Sequence, residues 1–549
     1  MKKSSTLLLI FLLSSIVSFG QDAATAIDTY LKEKYPANEP GVIALVIKDG
    51  KTILRKGYGM ADLEHSKSQT PEMVSRIGSV TKQFTSTAIL KLMEEGKLKL
   101  DDPITKFLPD YPTQGKTVTV WNLLNHTSGI KSYTSIESNM TTENKAKNLT
   151  HAQLLGTFQN MPFDFNPGDQ WLYNNSGYYL LGMIIEKVSG ISWGEYLTKN
   201  FFKPLKMNST VTDDTKLKSG EAIGYGKNGD KYVVADFVHP SIPFAAGSIA
   251  STVDDLWKWN NAIFNYKVIS QASLDKAWTP TKLNDGSLQS YGFGWSISRI
   301  GIQKAISHGG GIDGYLTFAL YIPESKVFVA MLSNNGNNGP TEYAFHAAQI
   351  ASGQSMMKPT AIAMDANAMK EYVGVYSINA AQDRVIRLDG DHLTSQRTGS
   401  SVLSIYPYAK DKFYFDGSSS LLFFIRDDAG KIVSMELVGT DWVNSMAKKT
   451  DKAIPDTRVE IEMDPNEFDK FNGEYELVPG FILTVRREGD KLMTQATGQQ
   501  ALQVFPESKT KFFLKAVDAQ IEFSSSEDGM VTGLTLYQGG RTMPAKKLK

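Results

Sequence analysis

The sequence predicts an α+β domain followed by two small antiparallel all-β barrels, and three observations predict it. The run Val42–Ile47, the pair Asp49-Gly50 and the run Thr52–Lys56 read as a β-hairpin closed by a tight turn. Apolar side chains at Val80, Phe84, Ala88, Leu92 and Met93 recur at helical spacing. Beyond residue 367, short alternating runs broken by Gly and Asp repeat once at an ungapped offset of 99. The length, 549 residues, leaves room for two to four domains.

At the N-terminus, residues 1–21 read as a cleavable signal peptide. Lys2-Lys3 precede the apolar stretch Leu7–Phe19, and the small Gly20 stands before Gln21. The expected location is therefore the periplasm or the medium of a bacterium. No later segment approaches the length of a transmembrane helix, so no stable membrane insertion is expected once the signal is cleaved. The chain has no cysteine, which removes disulfides and a lipid anchor at the cleavage site; stability must come from core burial. Basic and acidic residues balance, 58 against 58; without Lys2 and Lys3 they stand at 56 against 58. That balance gives no basis for binding nucleic acid or a charged membrane.

Three clusters carry chemistry. In Ile77-Gly78-Ser79-Val80-Thr81-Lys82, a hydroxyl and an amine stand three residues apart at a predicted helix start, on one helix face. A serine hydroxyl needs an adjacent base to act as a nucleophile. An amine whose pKa is lowered by burial can serve, and the helix start offers free N–H groups to developing negative charge. The second cluster, Phe165 to Tyr178, holds Tyr173 and Asn175 in a loop after Pro167-Gly168, just before the apolar helical run Tyr179–Ile185. The third, Ser307-His308-Gly309-Gly310-Gly311, sits among the strand-like runs Phe293–Ile297, Leu316–Ile322 and Val327–Leu332. Glycines on an edge strand let a ligand approach the backbone closely.

In order, Ser79-Val80-Thr81-Lys82, Tyr173-Asn174-Asn175 and His308-Gly309-Gly310 resemble the three motifs of the serine β-lactamase and penicillin-binding-protein superfamily, in its class C-like branch. The segments Leu123–Ile130 and Ala246–Leu256 share the likeness, which covers about residues 25–355. The resemblance implies a serine hydrolase domain over 22–360: an antiparallel sheet flanked by helices plus a helical subdomain, with Ser79 in the cleft between them. It further implies that Ser79 is the acylated nucleophile and that Lys82 is its proton acceptor or electrostatic helper. Tyr173 would be a shared base and the later proton donor, which leaves the general base open between Lys82 and Tyr173. Asn175 would hold Lys82 and meet the substrate amide, His308, Gly309 and Gly310 would line the substrate, and the N–H groups of Ser79 and Gly311 would form the oxyanion hole. No metal or organic cofactor is expected, since the seven histidines show no zinc-type pairing at helical spacing and Asp389-Gly390-Asp391 reads as a hairpin turn.

One departure bears on the substrate. Where relatives in that superfamily carry a Lys and a Thr in the third motif, this chain has His308 and Gly309. A neutral imidazole and a missing hydroxyl make a weaker carboxylate site than an ammonium and a hydroxyl. The resemblance then points to the D-aminopeptidase and esterase members, acting on small amides, short peptides with D-residues, or compact esters. A β-lactamase or D-alanyl-D-alanine carboxypeptidase is the rival enzyme reading. A non-catalytic ligand-binding relative is the rival of another class.

The C-terminal third follows a small-residue linker at Ala361–Ala368. Gly374 and Tyr376 align with Gly473 and Tyr475, and Gly390-Asp391-His392-Leu393 with Gly489-Asp490-Lys491-Leu492. The match continues through Gly399/Gly498, Pro407/Pro506, Phe413/Phe512, Phe424/Phe523, Gly430/Gly529 and Leu437/Leu536. Turn glycines and core aromatics held at one spacing mark a tandem duplication. Each copy has the size of a small lipocalin-like up-and-down barrel, at 367–450 and 464–549, joined by the polar segment Thr450–Pro465. Such a barrel either holds a ligand in its mouth or is filled by its own side chains.

Overall fold

Val42–Lys48 (β1) and Lys51–Tyr58 (β2) form the predicted hairpin. Its turn places both Asp49 and Gly50 at positive φ, the conformation that the Asp-Gly pair favours. Ser296–Ile300 (β3), Gln303–Ile312 (β4), Tyr315–Ile322 (β5) and Val327–Ser333 (β6) complete a six-stranded antiparallel sheet of order β3-β4-β5-β6-β1-β2. The chain thus returns near residue 333 to pair β6 with β1. The computed structural model describes residues 22–549 except 214, 216–220, 354–358, 380–381, 399, 417–419, 439–441, 443–445, 456–457, 459, 479, 539–540 and 549. The signal peptide read over 1–21 and Gly399 of the repeat lie outside the described residues.

The unbroken apolar run of β1 has a simple cause: both faces of the strand are covered. Val42, Ala44 and Val46 face a core shared with the helices over 22–34 (α1) and Thr341–Ser352 (α5), through Ile27, Leu31, Ala344 and Ala348. Ile43, Leu45 and Ile47 face the larger core, shared with Thr81–Glu94 (α2), Asn175–Ser189 (α3) and Val253–Phe264 (α4). Phe84 of α2 stacks on Trp259 of α4 at 4.1 Å, a contact worth about 0.5–1.5 kcal/mol beyond area burial. Between α2 and α4 in sequence, short helices around α3 make the helical part of the domain.

One strand differs from its expected bounds. The run Phe293–Ile297 begins as a turn: Gly294 has φ 83° and Phe293 N donates to Ala277 O, so pairing starts only at Ser296. The apolar pattern there reports burial of Phe293 and Trp295, not strand geometry.

The chain divides into two units, one reaching to residue 356 and one carrying both barrels. In the first barrel, eight strands from Gly374–Asn379 to Met446–Thr450 close on themselves. In the second, eight run from Gly473–Val478 to Arg541–Lys547. Each is preceded by a helical segment, Ala366–Met369 with Lys370–Tyr372 and then Pro465–Phe471, so the expected linkers end in ordered turns. Met369 and Tyr372 join the core of the first barrel, and Phe468 and Phe471 that of the second. Each barrel closes around its own apolar core, as the aromatic repeat requires. Asp389-Gly390-Asp391 is a hairpin turn, with Gly390 at φ 59°.

Candidate active site

Ser79 stands in a single 3₁₀ turn, Gly78–Val80, that leads into α2. Gly78 has φ 50°, and a Cβ there would lie 2.7 Å from Gly311 N, so glycine is required both by the turn and by the sheet edge beside it. Ser79 is half-buried while its neighbours Gly78 and Val80 are buried, which exposes the hydroxyl from a rigid base. Lys82, one turn on, is 0% exposed. Its Nζ lies 3.0 Å from Ser79 Oγ, 2.7 Å from Asn175 Oδ1 and 2.8 Å from Ala246 O.

No carboxylate is among those partners, and burial holds the Lys82 amine well below its ordinary pKa. An ammonium would donate to all three oxygens. A neutral amine donates its two hydrogens to the two carbonyl oxygens and turns its lone pair to the serine O–H. The second arrangement satisfies every group without a buried charge.

Asn175 opens α3, and Asn174 before it caps the helix by accepting from Gly177 N at 2.8 Å. Asn175 Nδ2 donates to Thr134 Oγ1 at 3.0 Å, and its N donates to Ser132 Oγ at 3.2 Å. One of its two amide hydrogens is therefore already committed, leaving a single N–H for a ligand. Tyr173 lays its ring under Lys82 Nζ, 4.7 Å from the centroid. Its hydroxyl is buried and held by no formed hydrogen bond. Burial raises the pKa of this phenol, opposed only by its nearness to Ser79, so it rests protonated.

The third motif lies on β4. That strand is paired on both sides only as far as Ser307, opposite the first residue of β3, Ser296; from His308 onward β3 no longer covers its second edge. The edge runs along Ile77-Gly78: a Cβ on Gly310 would stand 1.9 Å from Ile77 O, and Thr317 of β5 donates to that same oxygen at 2.8 Å. Gly311 N faces Gly78 across this contact, beside the backbone of Ser79. Gly309 is different, because a Cβ there would meet the Phe318 ring at 3.5 Å and Thr317 O at 3.7 Å, both ordinary contacts.

His308 is 4% exposed. Its Nδ1 lies 2.5 Å from Gly309 O and its Nε2 lies 2.9 Å from Tyr291 Oη. A carbonyl only accepts, so Nδ1 carries the proton and Nε2 accepts from the tyrosine. Burial, then the nearby Lys82, pushes this imidazole down to about 3. His308 is thus neutral, with both nitrogens engaged.

The structure joins Ser79, Lys82 and Asn175 by direct hydrogen bonds. It brings Tyr173 within 6.1 Å of His308, ring to ring. Sequence reasoning gave no role to Tyr291, which holds His308, or to His126, although His126 lay in a segment singled out for its likeness. His126 is 1% exposed, has φ 64°, and accepts from Asn174 N at 3.1 Å. Its ring lies 4.4 Å from Tyr173 and 4.7 Å from Tyr291. Thr134 and Ser132, which hold Asn175, also carried no signal, being common residues in a loop. A further tie is the ion pair between the buried Lys145 and Asp313, which fastens the helical part to the turn after β4.

Comparison with known proteins agrees with this geometry. The profile of the Beta-lactamase family matches residues 28–353, and that of DUF3471, a domain of unknown function, matches residues 457–547. The chain is 27% identical over 536 residues to Penicillin-binding protein 4* of Bacillus subtilis, covering 94% of this chain and 97% of that protein. It is 32% identical over 324 residues to Protein flp of Staphylococcus aureus, spanning 57% of this chain and 63% of that one. Among solved structures, the octameric penicillin-binding protein homologue from Pyrococcus abyssi aligns with TM-score 0.54 and 27% identity, over 77% of this chain and 99% of that one. The D-amino acid amidase from Ochrobactrum anthropi SV3 aligns with TM-score 0.52 and 25% identity, over 61% and 98% respectively.

Proposed function

This chain belongs to the Beta-lactamase family, a group of serine hydrolases that includes the penicillin-binding proteins, and on that premise we propose that it hydrolyses small amides, short D-residue peptides or esters through an acyl-enzyme on Ser79. Lys82 takes the Ser79 proton as the Oγ–carbon bond forms. The Tyr173 hydroxyl, which has no other partner, gives a proton to the leaving nitrogen or oxygen and is recharged from Lys82. Water then attacks the acyl group and the same groups act in reverse. The N–H groups of Ser79 and Gly311 receive the oxyanion; losing one such donor typically costs about 10²–10³ in rate.

The observation that carries the substrate reading is the state of His308. It is neutral, both its nitrogens are engaged, and Gly309 beside it brings no hydroxyl. The site therefore lacks the cation and the hydroxyl that would clamp a substrate carboxylate. Similarity to a D-amino acid amidase supports the same class, amides of D-amino acids. Similarity to a protein named as penicillin-binding keeps β-lactams as the second reading. The same proposal includes export, supported by Lys2-Lys3 and the apolar run after them.

The test is a panel of matched D- and L-aminoacyl p-nitroanilides, the corresponding esters, nitrocefin and a D-Ala-D-Ala peptide, assayed with the mature protein. Cleavage of D-aminoacyl amides or esters with little nitrocefin turnover is expected. Rapid release of terminal D-Ala, or nitrocefin turnover exceeding that of every amide and ester, contradicts the proposal.

A further inference from the structure

The two barrels enclose a cleft of about 620 Å³ within the unit they form together, and nothing in the hydrolytic reading uses it. Five basic side chains line it, Arg387, Arg397, Lys452, Arg458 and Lys515, against two carboxylates, Asp383 and Asp518. Three of the cations are already paired: Lys452 with Asp383 at 2.8 Å, Arg458 with Asp518 at 2.6 Å, and Lys515 with Glu460 at 2.6 Å. Arg387 and Arg397 have no ion-pair partner among the described residues. The rest of the wall is apolar, with Val385, Phe513, Leu514 and Val517.

Arg387 is the more telling of the two. Its Nη2 donates to Pro455 O at 2.9 Å and its Nη1 reaches Gln396 Oε1 only at 3.4 Å, while its Nε–H is buried with no partner. The duplication supplies an internal control. At the offset of 99 the second barrel has Arg486, Gln495 and Glu488, where the first has Arg387, Gln396 and Asp389. There Arg486 donates to Gln495 Oε1 at 2.9 Å and through Nε to Glu488 Oε1 at 2.7 Å, so its planar fork is occupied. In the first barrel the acid is one methylene shorter, and Nε is left unmade. A buried unmade donor typically costs about 1–3 kcal/mol, and a guanidinium fork suits a bidentate oxyanion. Burial and the neighbouring Arg458 lower the pKa of Arg387, with Asp518 opposing them from beyond ion-pair distance.

We propose that this cleft binds a small amphipathic oxyanion, its head received by Arg387 and Arg397 and its apolar body lying on Val385, Phe513 and Leu514. The size suits one small organic molecule. The inference stands apart from the chemistry at Ser79 and survives if that reading fails.

The experiment is titration calorimetry on the full chain with octanoate, octyl phosphate, inorganic phosphate and octyltrimethylammonium. One octanoate or octyl phosphate per chain is expected, the stronger of the two naming the head group, with the cation failing to bind and inorganic phosphate weaker by about ten-fold or more. Arg387→Gln should weaken that binding about ten-fold or more, and Arg486→Gln should leave it unchanged. Arg397→Gln, at an exposed side chain that the fold does not need, should weaken it as well. No saturable binding of either anion up to about 10 mM overturns the proposal, as does equal binding of the cation. So does an unchanged affinity in both Arg387→Gln and Arg397→Gln.

Discussion

Lys82 has three oxygens around its amine and no carboxylate to keep it charged. Its depressed pKa sets the sign of the pH profile: a general base works when deprotonated, so kcat/KM should rise with pH through a midpoint well below 10.5. Tyr173 is raised, so no alkaline fall is expected below its ordinary pKa. Lys82→Arg keeps a cation that cannot deprotonate and should lose about 10²–10⁴ in rate, with a lowered thermal transition because a larger charge is fixed in a fully buried site. Retained activity in that variant would remove Lys82 from the role of base. His308 carries a separate prediction on stability. Its folded pKa of about 3 lies below the unfolded 6.5, so the unfolded state binds the extra proton. Stability from this group is complete above pH 6.5 and drains as pH falls towards 3, by roughly 1.4 kcal/mol per pH unit. Urea denaturation at pH 7 and pH 5 should show this loss, and His308→Gln should shrink the difference. The residues Ser79, Lys82, Tyr173 and His308 were legible because their spacing is a motif. Tyr291 was not, since a tyrosine 17 positions before His308 has no sequence mark of the hydrogen bond it makes.

At the scale of elements, the glycine run on β4 separates two physical roles that look alike in sequence. A Cβ on Gly310 would collide with Ile77 O at 1.9 Å, whereas one on Gly309 meets Phe318 at an ordinary distance. Gly310→Ala should therefore push the strand away from Ser79, cost about 1–3 kcal/mol in stability and lose most turnover. Gly309→Ala should stay within about 0.5 kcal/mol of the parent and remain active. Equal tolerance of both in denaturation and turnover assays contradicts the close approach of β4 to the Ser79 turn. The hairpin β1–β2 was legible because Asp49-Gly50 demands one turn geometry. The start of β3 was not, because Phe293 and Trp295 are buried in a turn whose course depends on Ala277, far away in sequence. The place where β4 becomes an edge was equally hidden, being set by where β3 starts.

For the molecule as a whole, the tandem barrels were the most readable feature, since closure of each strand circuit follows from the repeated turns and aromatics. Which barrel keeps an unmade guanidinium was not readable, because Arg387 and Arg486 are the same residue type in the same repeat position. The separate barrel cores predict separate unfolding. Phe512→Ala, at a fully buried ring of the second barrel, should lower that barrel's transition by about 3–5 kcal/mol. Once that barrel has unfolded, Ser79 should still be labelled at the parental rate by a small fluorophosphonate; a matching loss of labelling would tie the site to the barrel's integrity. The central claim, that Ser79 is acylated by substrates in a site lacking a carboxylate clamp, is tested most directly by mass spectrometry of the protein quenched during turnover of a D-aminoacyl ester. The prediction is an added D-aminoacyl mass on the peptide containing Ser79, absent in Ser79→Ala, which has also lost turnover. Undiminished turnover by Ser79→Ala, with no adduct on that peptide in the parent, would contradict it.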